Sequence, residues 1–181
     1  PFLDHVVQGV YAPGSIVKPF IAAGALTDGL ITPSTIIDDP GFLSLPDPYH
    51  PGKNFIYKGW KALGPVDVKK AIAWSSDIFF YTVGGGFENQ KGLGIERLDY
   101  WYRQFGLGTT TGIDLPGEAG GLIPTPEWKQ ATFKEPWYLG NTYHYSIGQG
   151  DLLATPLQID SVTATIANGG KIMQPQLVDE I

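Results

Sequence analysis

"YAPGSIVKPF", residues 11–20, places Ser15 three positions ahead of Lys18 at the mouth of an apolar run. Residues 15–31, "SIVKPFIAAGALTDGLI", read as a buried helix: Phe20, Ile21, Ala23, Ala25 and Leu26 leave little polar face, and Gly29 is a stop signal. Pro19 falls where a missing N–H is best tolerated. It disfavours helical angles at Lys18, so an irregular start is expected. On a helix, Ser15 and Lys18 share a face at i and i+3. A hydroxyl is a poor nucleophile until a base takes its proton. An ordinary lysine, pKa about 10.4, is neutral in only roughly one molecule in two thousand at pH 7. Burial disfavours the ammonium, and Ile16, Val17, Phe20 and Ile21 offer such surroundings. Gly14 allows a tight turn that exposes the serine. The bland alternative is a capping Ser15 and a Lys18 that reaches water.

Outward from this stretch, residues 32–65 form a Pro/Gly-rich excursion in which Phe55-Ile56-Tyr57 could pair as a short strand. Asp67 caps an expected helix over 68–84, ended by Gly84-Gly85-Gly86. Residues 94–108 read as an amphipathic helix with a stripe of Leu98, Trp101, Tyr102 and Phe105. "TGIDLPGEAGGLIPTPEW" reads as loop, and "NTYHYSIGQGDLLATP" as an extended piece before a glycine turn. Residues 155–170 form a last helix, with Pro156 in its first turn and Asn168-Gly169 at its end; "IMQPQLVDEI" then begins a strand. The outline is mainly helical, with short strands and long loops.

At 181 residues the chain is one domain's length, and 43% hydrophobic against 17% charged residues indicates a folded globule. The net charge of -6 and the lack of a basic stripe argue against nucleic acid. The absence of cysteine excludes disulfides and thiol chemistry. No apolar run reaches the roughly 20 residues of a membrane helix. The start "PFLDH" reads as a piece of a longer protein.

A second anomaly lies in "AIAWSSDIFFYTV": Ser75, Ser76 and Asp77 interrupt an apolar helix. A charge in such company needs a partner. Ser75 and Asp77, two positions apart, can address one site only if the helix bends, ends or begins there. Lys18 and Asp77 would then be each other's counter-ion, and Ser75 would pass a proton.

S-x-x-K followed by S-x-N and K-T-G is the signature of penicillin-binding proteins and serine β-lactamases. Here "SIVK" matches the first element, and "SSD" the second, with Asp77 in the Asn place. With "GVYAPGSIVKPF", "SSDIFFYTVG", "FGLGTTTGIDLPGE", "PTPEWKQATFKEPWYLGNTYHYSIGQGDLLATPLQ" and "ANGGKIMQP", the chain resembles the transpeptidase domain of class B penicillin-binding proteins. It is most similar to their elongation-type branch, penicillin-binding protein 2. The likeness spans residues 1–181 and is thin only over 32–65.

The resemblance implies an α/β (α+β) transpeptidase fold, represented here mainly by its helical part. It implies a D,D-transpeptidase that cross-links peptidoglycan stem peptides at D-Ala-D-Ala and is trapped by β-lactams. By motif position Ser15 would be the acylated nucleophile, Lys18 its base, Ser75 a proton relay, and Asp77 the group holding Lys18 and substrate. Gly148, Gln149 and Gly150 of "SIGQG" would lie at the active-site floor, as structure or as substrate contacts. No cofactor is implied. The parent would carry an N-terminal membrane anchor, work outside the inner membrane, and partner a RodA-type glycosyltransferase and other elongation-complex proteins.

The sequence departs from the pattern in one respect: no Lys-Ser/Thr-Gly occurs in it. That strand would supply half the oxyanion hole, so these residues alone are expected to catalyse poorly. Some relatives are thought to hold a metal near the excursion. Asp38, Asp39, Asp47 and His50 match no tight ligand pattern and read as turn residues beside prolines. The rival functions are a β-lactam-hydrolysing or -sensing relative, whose hydrolysis needs an added water-activating base that no Glu in a matching motif supplies, since Glu118 and Glu127 sit in loop text that matches transpeptidases, and a non-catalytic scaffold indifferent to Lys18.

Overall fold

The computed structural model describes residues 3–178. Helix α3, Asp77–Gly85, is the axis of the core: Ile78, Phe79, Phe80 and Val83 are all wholly buried. A helix apolar on every side must be surrounded, and α3 is. It contacts α1 (Lys18–Thr27), α2 (Val68–Ala73), α4 (Gly94–Gln104), α6 (Leu139–Ser146) and strand β1 (Ile37–Asp39). Each of those buried side chains contributes about 1.5–3 kcal/mol of transfer free energy.

The first helix starts as the irregular element its proline demands. A 3-10 turn, Gly14–Val17, runs into α1, with the Lys18 N–H donating to the Ser15 carbonyl. α1 closes at Thr27, and Gly29 turns away at φ +68°. The excursion is two antiparallel ribbons: β1 pairs with β4 (Gly64–Val66), and β2 (Phe42–Pro46) with β3 (Asn54–Lys58), aligning Leu43 with Tyr57. Phe55-Ile56-Tyr57 is thus in a strand, as expected. The stripe of α4 buries Leu98 and Tyr102, and the Tyr102 hydroxyl donates to the Tyr145 carbonyl at 2.7 Å. Arg97 and Trp101 both donate to Asp28, tying α4 to the end of α1.

Four expectations are corrected. Residues 68–84 are two helices, broken at Trp74–Ser76. "NTYHYS" belongs to helix α6, not to an extended piece. Its alternating aromatics mimic a strand, but Asn141 caps it by accepting from the Tyr138 N–H at 2.8 Å, and the Tyr143 hydroxyl docks on the Gly86 carbonyl at 2.7 Å. Gly84 allows α6 this close, since a β-carbon there would lie 2.3 Å from the Ser146 β-carbon. The end of the presumed loop is helix α5, Pro126–Phe133, started by Thr125 accepting from the Trp128 N–H. Residues 172–178 form no strand: Gln174 and Leu177 bond to the Gly112 carbonyl and the Asp114 carboxylate instead of a ladder. Residues 179–181 of that segment lie outside the described residues.

The last helix, α7 (Pro156–Ala167), begins with a reciprocal cap between Thr155 and Gln158. The α2 cap is Asp67, accepting from the Lys70 N–H at 2.8 Å. Asp67→Ala is expected to cost about 1 kcal/mol of stability, read as a lower Tm of the full-length protein.

Candidate active site

The break between α2 and α3 builds the site. Ser75 is a non-glycine residue in the left-handed region, φ +53°. That conformation costs about 1–2 kcal/mol and needs compensation from its surroundings. Lys18 supplies it: its Nζ donates to the Ser75 carbonyl at 2.8 Å and to the Ser75 Oγ at 3.0 Å. The same ammonium bonds Asp77 Oδ1 at 2.7 Å. α3 thus begins where the helix must break for Ser75 and Asp77 to meet one cation. Lys18 is 1% exposed, so the solvated alternative is excluded. Burial pushes its pKa below the ordinary value. The hydrogen bond and charge of Asp77, and then the charge of Asp39, push it back up. Burial, and next the Asp77 charge, raise Tyr81 to about 12, so it stays protonated.

Ser15 is exposed and lies in the 3-10 turn one residue past Gly14. It does not cap the helix, and its hydroxyl bonds no other described residue. Ser15 and Lys18 line one cavity of about 370 Å³ with Ile72 of α2 and Thr163, Ile166 and Ala167 of α7. Ser75 lines a neighbouring groove of about 690 Å³ with Trp60, Lys61 and Trp74.

Gly148 supports the Ser15 turn from behind. The Gly14 N–H donates to its carbonyl at 2.8 Å. Gly148 has φ +73°, and a β-carbon there would come 2.2 Å from the Gly14 carbonyl oxygen. Gly148→Ala is therefore expected to lose about 1–3 kcal/mol of stability and to displace Ser15. Thermal unfolding and penicillin acylation of the full-length variant should both fall. Gln149 and Gly150, next in sequence, are exposed.

Two members of the polar cluster had no role in the sequence reading: Asp39, expected in a turn, and Ser76, named only as interrupting the helix. Asp39, expected to be a turn residue, is 1% exposed, and its Oδ2 accepts from the Ser76 hydroxyl at 2.5 Å. Ser76 also caps α3 by accepting from the Phe79 N–H at 3.0 Å. Asp47 is the turn residue expected, bonding the Tyr49 N–H and His50. Among the described residues, no group of three or more His, Asp or Glu is placed to hold a metal. Both carboxylate oxygens of Glu118 are engaged by Thr111 and Gly112. Glu127 is exposed in the first turn of α5.

The penicillin-binding protein transpeptidase domain model matches residues 1–181. The peptidoglycan D,D-transpeptidase MrdA of Haemophilus influenzae is 43% identical over 183 residues, covering 100% of this chain and 26% of that protein. The chain thus spans about a quarter of the length of the curated relatives it matches. Among solved structures, Pseudomonas aeruginosa PBP2 in complex with WCK 5153 superposes with TM-score 0.88 at 37% identity, over 99% of this chain and 39% of that one. Helicobacter pylori PBP2 in complex with MreC gives 0.85 at 35%, over 97% and 31%. A peptidoglycan synthase complex that coordinates polymerization and crosslinking gives 0.81 at 35%, over 99% and 29%. The chain belongs to the penicillin-binding protein transpeptidase domain family, in its penicillin-binding protein 2 branch.

Proposed function

We propose that this chain is part of a peptidoglycan D,D-transpeptidase that acts through an acyl-serine. The observation carrying this reading is the buried Lys18, bonded at 2.7–3.0 Å to Asp77 and Ser75 and lining the cavity of an exposed Ser15. Neutral Lys18 takes the Ser15 proton as Oγ attacks the carbonyl of the penultimate D-Ala. The proton travels through Ser75 to the leaving nitrogen, and the terminal D-Ala departs. An amine of a neighbouring stem peptide then attacks the acyl-serine carbonyl; Lys18 takes the amine's proton and returns it to Ser15 Oγ as the ester bond breaks, leaving the new amide and the free serine. Asp77 fixes the Lys18 amine. Gln149 and Gly150 contact the stem peptide, and Gly148 keeps the serine turn in place.

Hydrolysis is disfavoured by the state of the two glutamates. Both Glu118 oxygens are tied to the Thr111–Gly112 loop. Glu127 has its pKa lowered, chiefly by a hydrogen bond from its own backbone N–H, the wrong direction for a base poised near neutrality. A scaffold has no use for a lysine buried at a cost in desolvation.

No helix among the described residues is long and apolar enough to cross a membrane. Anchoring, extracytoplasmic placement and a RodA-type polymerising partner are accordingly proposals for the full-length protein. They draw on the synthase complex and the relatives above. Residues 1–181 alone, without a Lys-Ser/Thr-Gly, are expected to acylate poorly. The test is the intact mass of the full-length protein after incubation with a penicillin. A stable single adduct is expected. Rapid turnover of the adduct, or no adduct, overturns the transpeptidase reading.

A further inference from the structure

We propose that Asp39 is a positioning residue of this site: it holds Ser76, and through Ser76 the helix break that turns Ser75 toward Lys18. This rests on the transpeptidase reading for its kinetic consequence, but not for its geometry. Asp39 comes from the far side of the sequence excursion, at the end of β1, where it faces Gly64 of β4. It is a buried carboxylate whose Oδ1 accepts from the Gly41 N–H at 2.9 Å and whose Oδ2 accepts from Ser76. Such an acid in a core is retained only where its bonds are complete.

Ser76, wholly buried, is gripped from both sides: its hydroxyl donates to Asp39 and accepts from the first turn of α3, while its N–H donates to the Ala71 carbonyl. Its neighbours in sequence, Ser75 and Asp77, are the two Lys18 partners. Fixing Ser76 therefore fixes both flanking residues, including the left-handed backbone of Ser75. The excursion thereby becomes a brace for the site instead of a loop beside it.

The charges acting on Lys18 are those of Asp77 from α3, which bonds it, and, more weakly, of Asp39 from β1. α2 and α7 bring only Ile72, Thr163, Ile166 and Ala167 to its cavity. Replacing Asp39 by asparagine removes a negative charge while leaving a side chain that can still bond Ser76. With less opposing negative charge, the Lys18 amine loses its proton at lower pH. A brace that was merely structural would not move that titration.

The test uses the full-length protein and a fluorescent penicillin, with acylation rates followed against pH. Asp39→Ala and Ser76→Ala are expected to slow acylation at least about tenfold, the effect of an unpaired buried polar group. Asp39→Asn is expected to keep the plateau rate within about threefold and to shift the alkaline-rising limb to lower pH. Folded Asp39→Ala and Ser76→Ala variants with wild-type rates, or an unshifted limb in Asp39→Asn, overturn the proposal. A wild type that does not acylate overturns the transpeptidase reading alone. A crystal structure of the asparagine or alanine variant then decides the positioning role. Ser75 released from Lys18 in Asp39→Ala supports it, and Ser75 unmoved overturns it.

Discussion

Ser15→Ala abolishes the covalent penicillin adduct of the full-length protein and leaves its stability within about 0.5 kcal/mol of wild type. The two halves of this expectation have one cause. The Ser15 side chain is exposed, caps nothing and bonds to no other described residue, so removing the hydroxyl removes no structural interaction. It does remove the atom that forms the ester. The supporting parts stay: Gly14 keeps its bond to Gly148, and Lys18 its three bonds. Intact mass checks the adduct, and thermal unfolding checks the fold. An undiminished adduct would move the nucleophile elsewhere.

Lys18→Ala slows acylation by about 10²–10⁴-fold, the range of a positioned general base. This variant also leaves Asp77 and Ser75 facing an empty space, so part of any loss would come from a disturbed break. Lys18→Met separates the two effects. It has comparable volume, fills the cavity with apolar atoms and relieves the desolvation of an ammonium. The methionine variant is expected to fold and still to acylate at least about a hundredfold more slowly. Stopped-flow acylation with a chromogenic β-lactam gives the rate. Wild-type rates in a folded Lys18→Met protein would remove the base from the mechanism.

What the sequence made legible was local. Ser15 and Lys18 are one turn apart, and the proline between Lys18 and the core predicted the irregular start that became a 3-10 turn. The need of Asp77 for a cation was readable from its apolar neighbours. That the helix must bend, end or begin there for Ser75 and Asp77 to share a site was legible too; that 68–84 divides into two helices was not, because the causes lie far along the chain: Lys18 reaches Ser75 across 57 positions and Asp39 reaches Ser76 across 37. Propensity favours a continuous helix through "AIAWSSDIFF", and tertiary bonds override it. Asp39 was misread for the same reason. Its neighbours Pro40 and Gly41 give a turn, and it does bond the Gly41 N–H, but its second oxygen faces the core. α6 shows a different failure, since Tyr143 and Tyr145 alternate like a strand while both are buried on a helix with two packed sides. The Thr125-Pro126 start of α5 carries a cap followed by an N1 proline, a helix signal masked by the glycine-rich stretch before it.

The central claim is that burial lowers the Lys18 pKa, bringing its neutral form within easier reach, while Asp77 and Ser75 hold the amine still. The pH dependence of penicillin acylation, wild type against Lys18→Met, tests it most directly. Burial lowers the Lys18 pKa from 10.5, so its neutral fraction grows as pH rises through the lowered value. The account predicts a rate that climbs with pH along a limb below 10.5 in the wild type and no such limb in Lys18→Met. An identical limb in both proteins would contradict it.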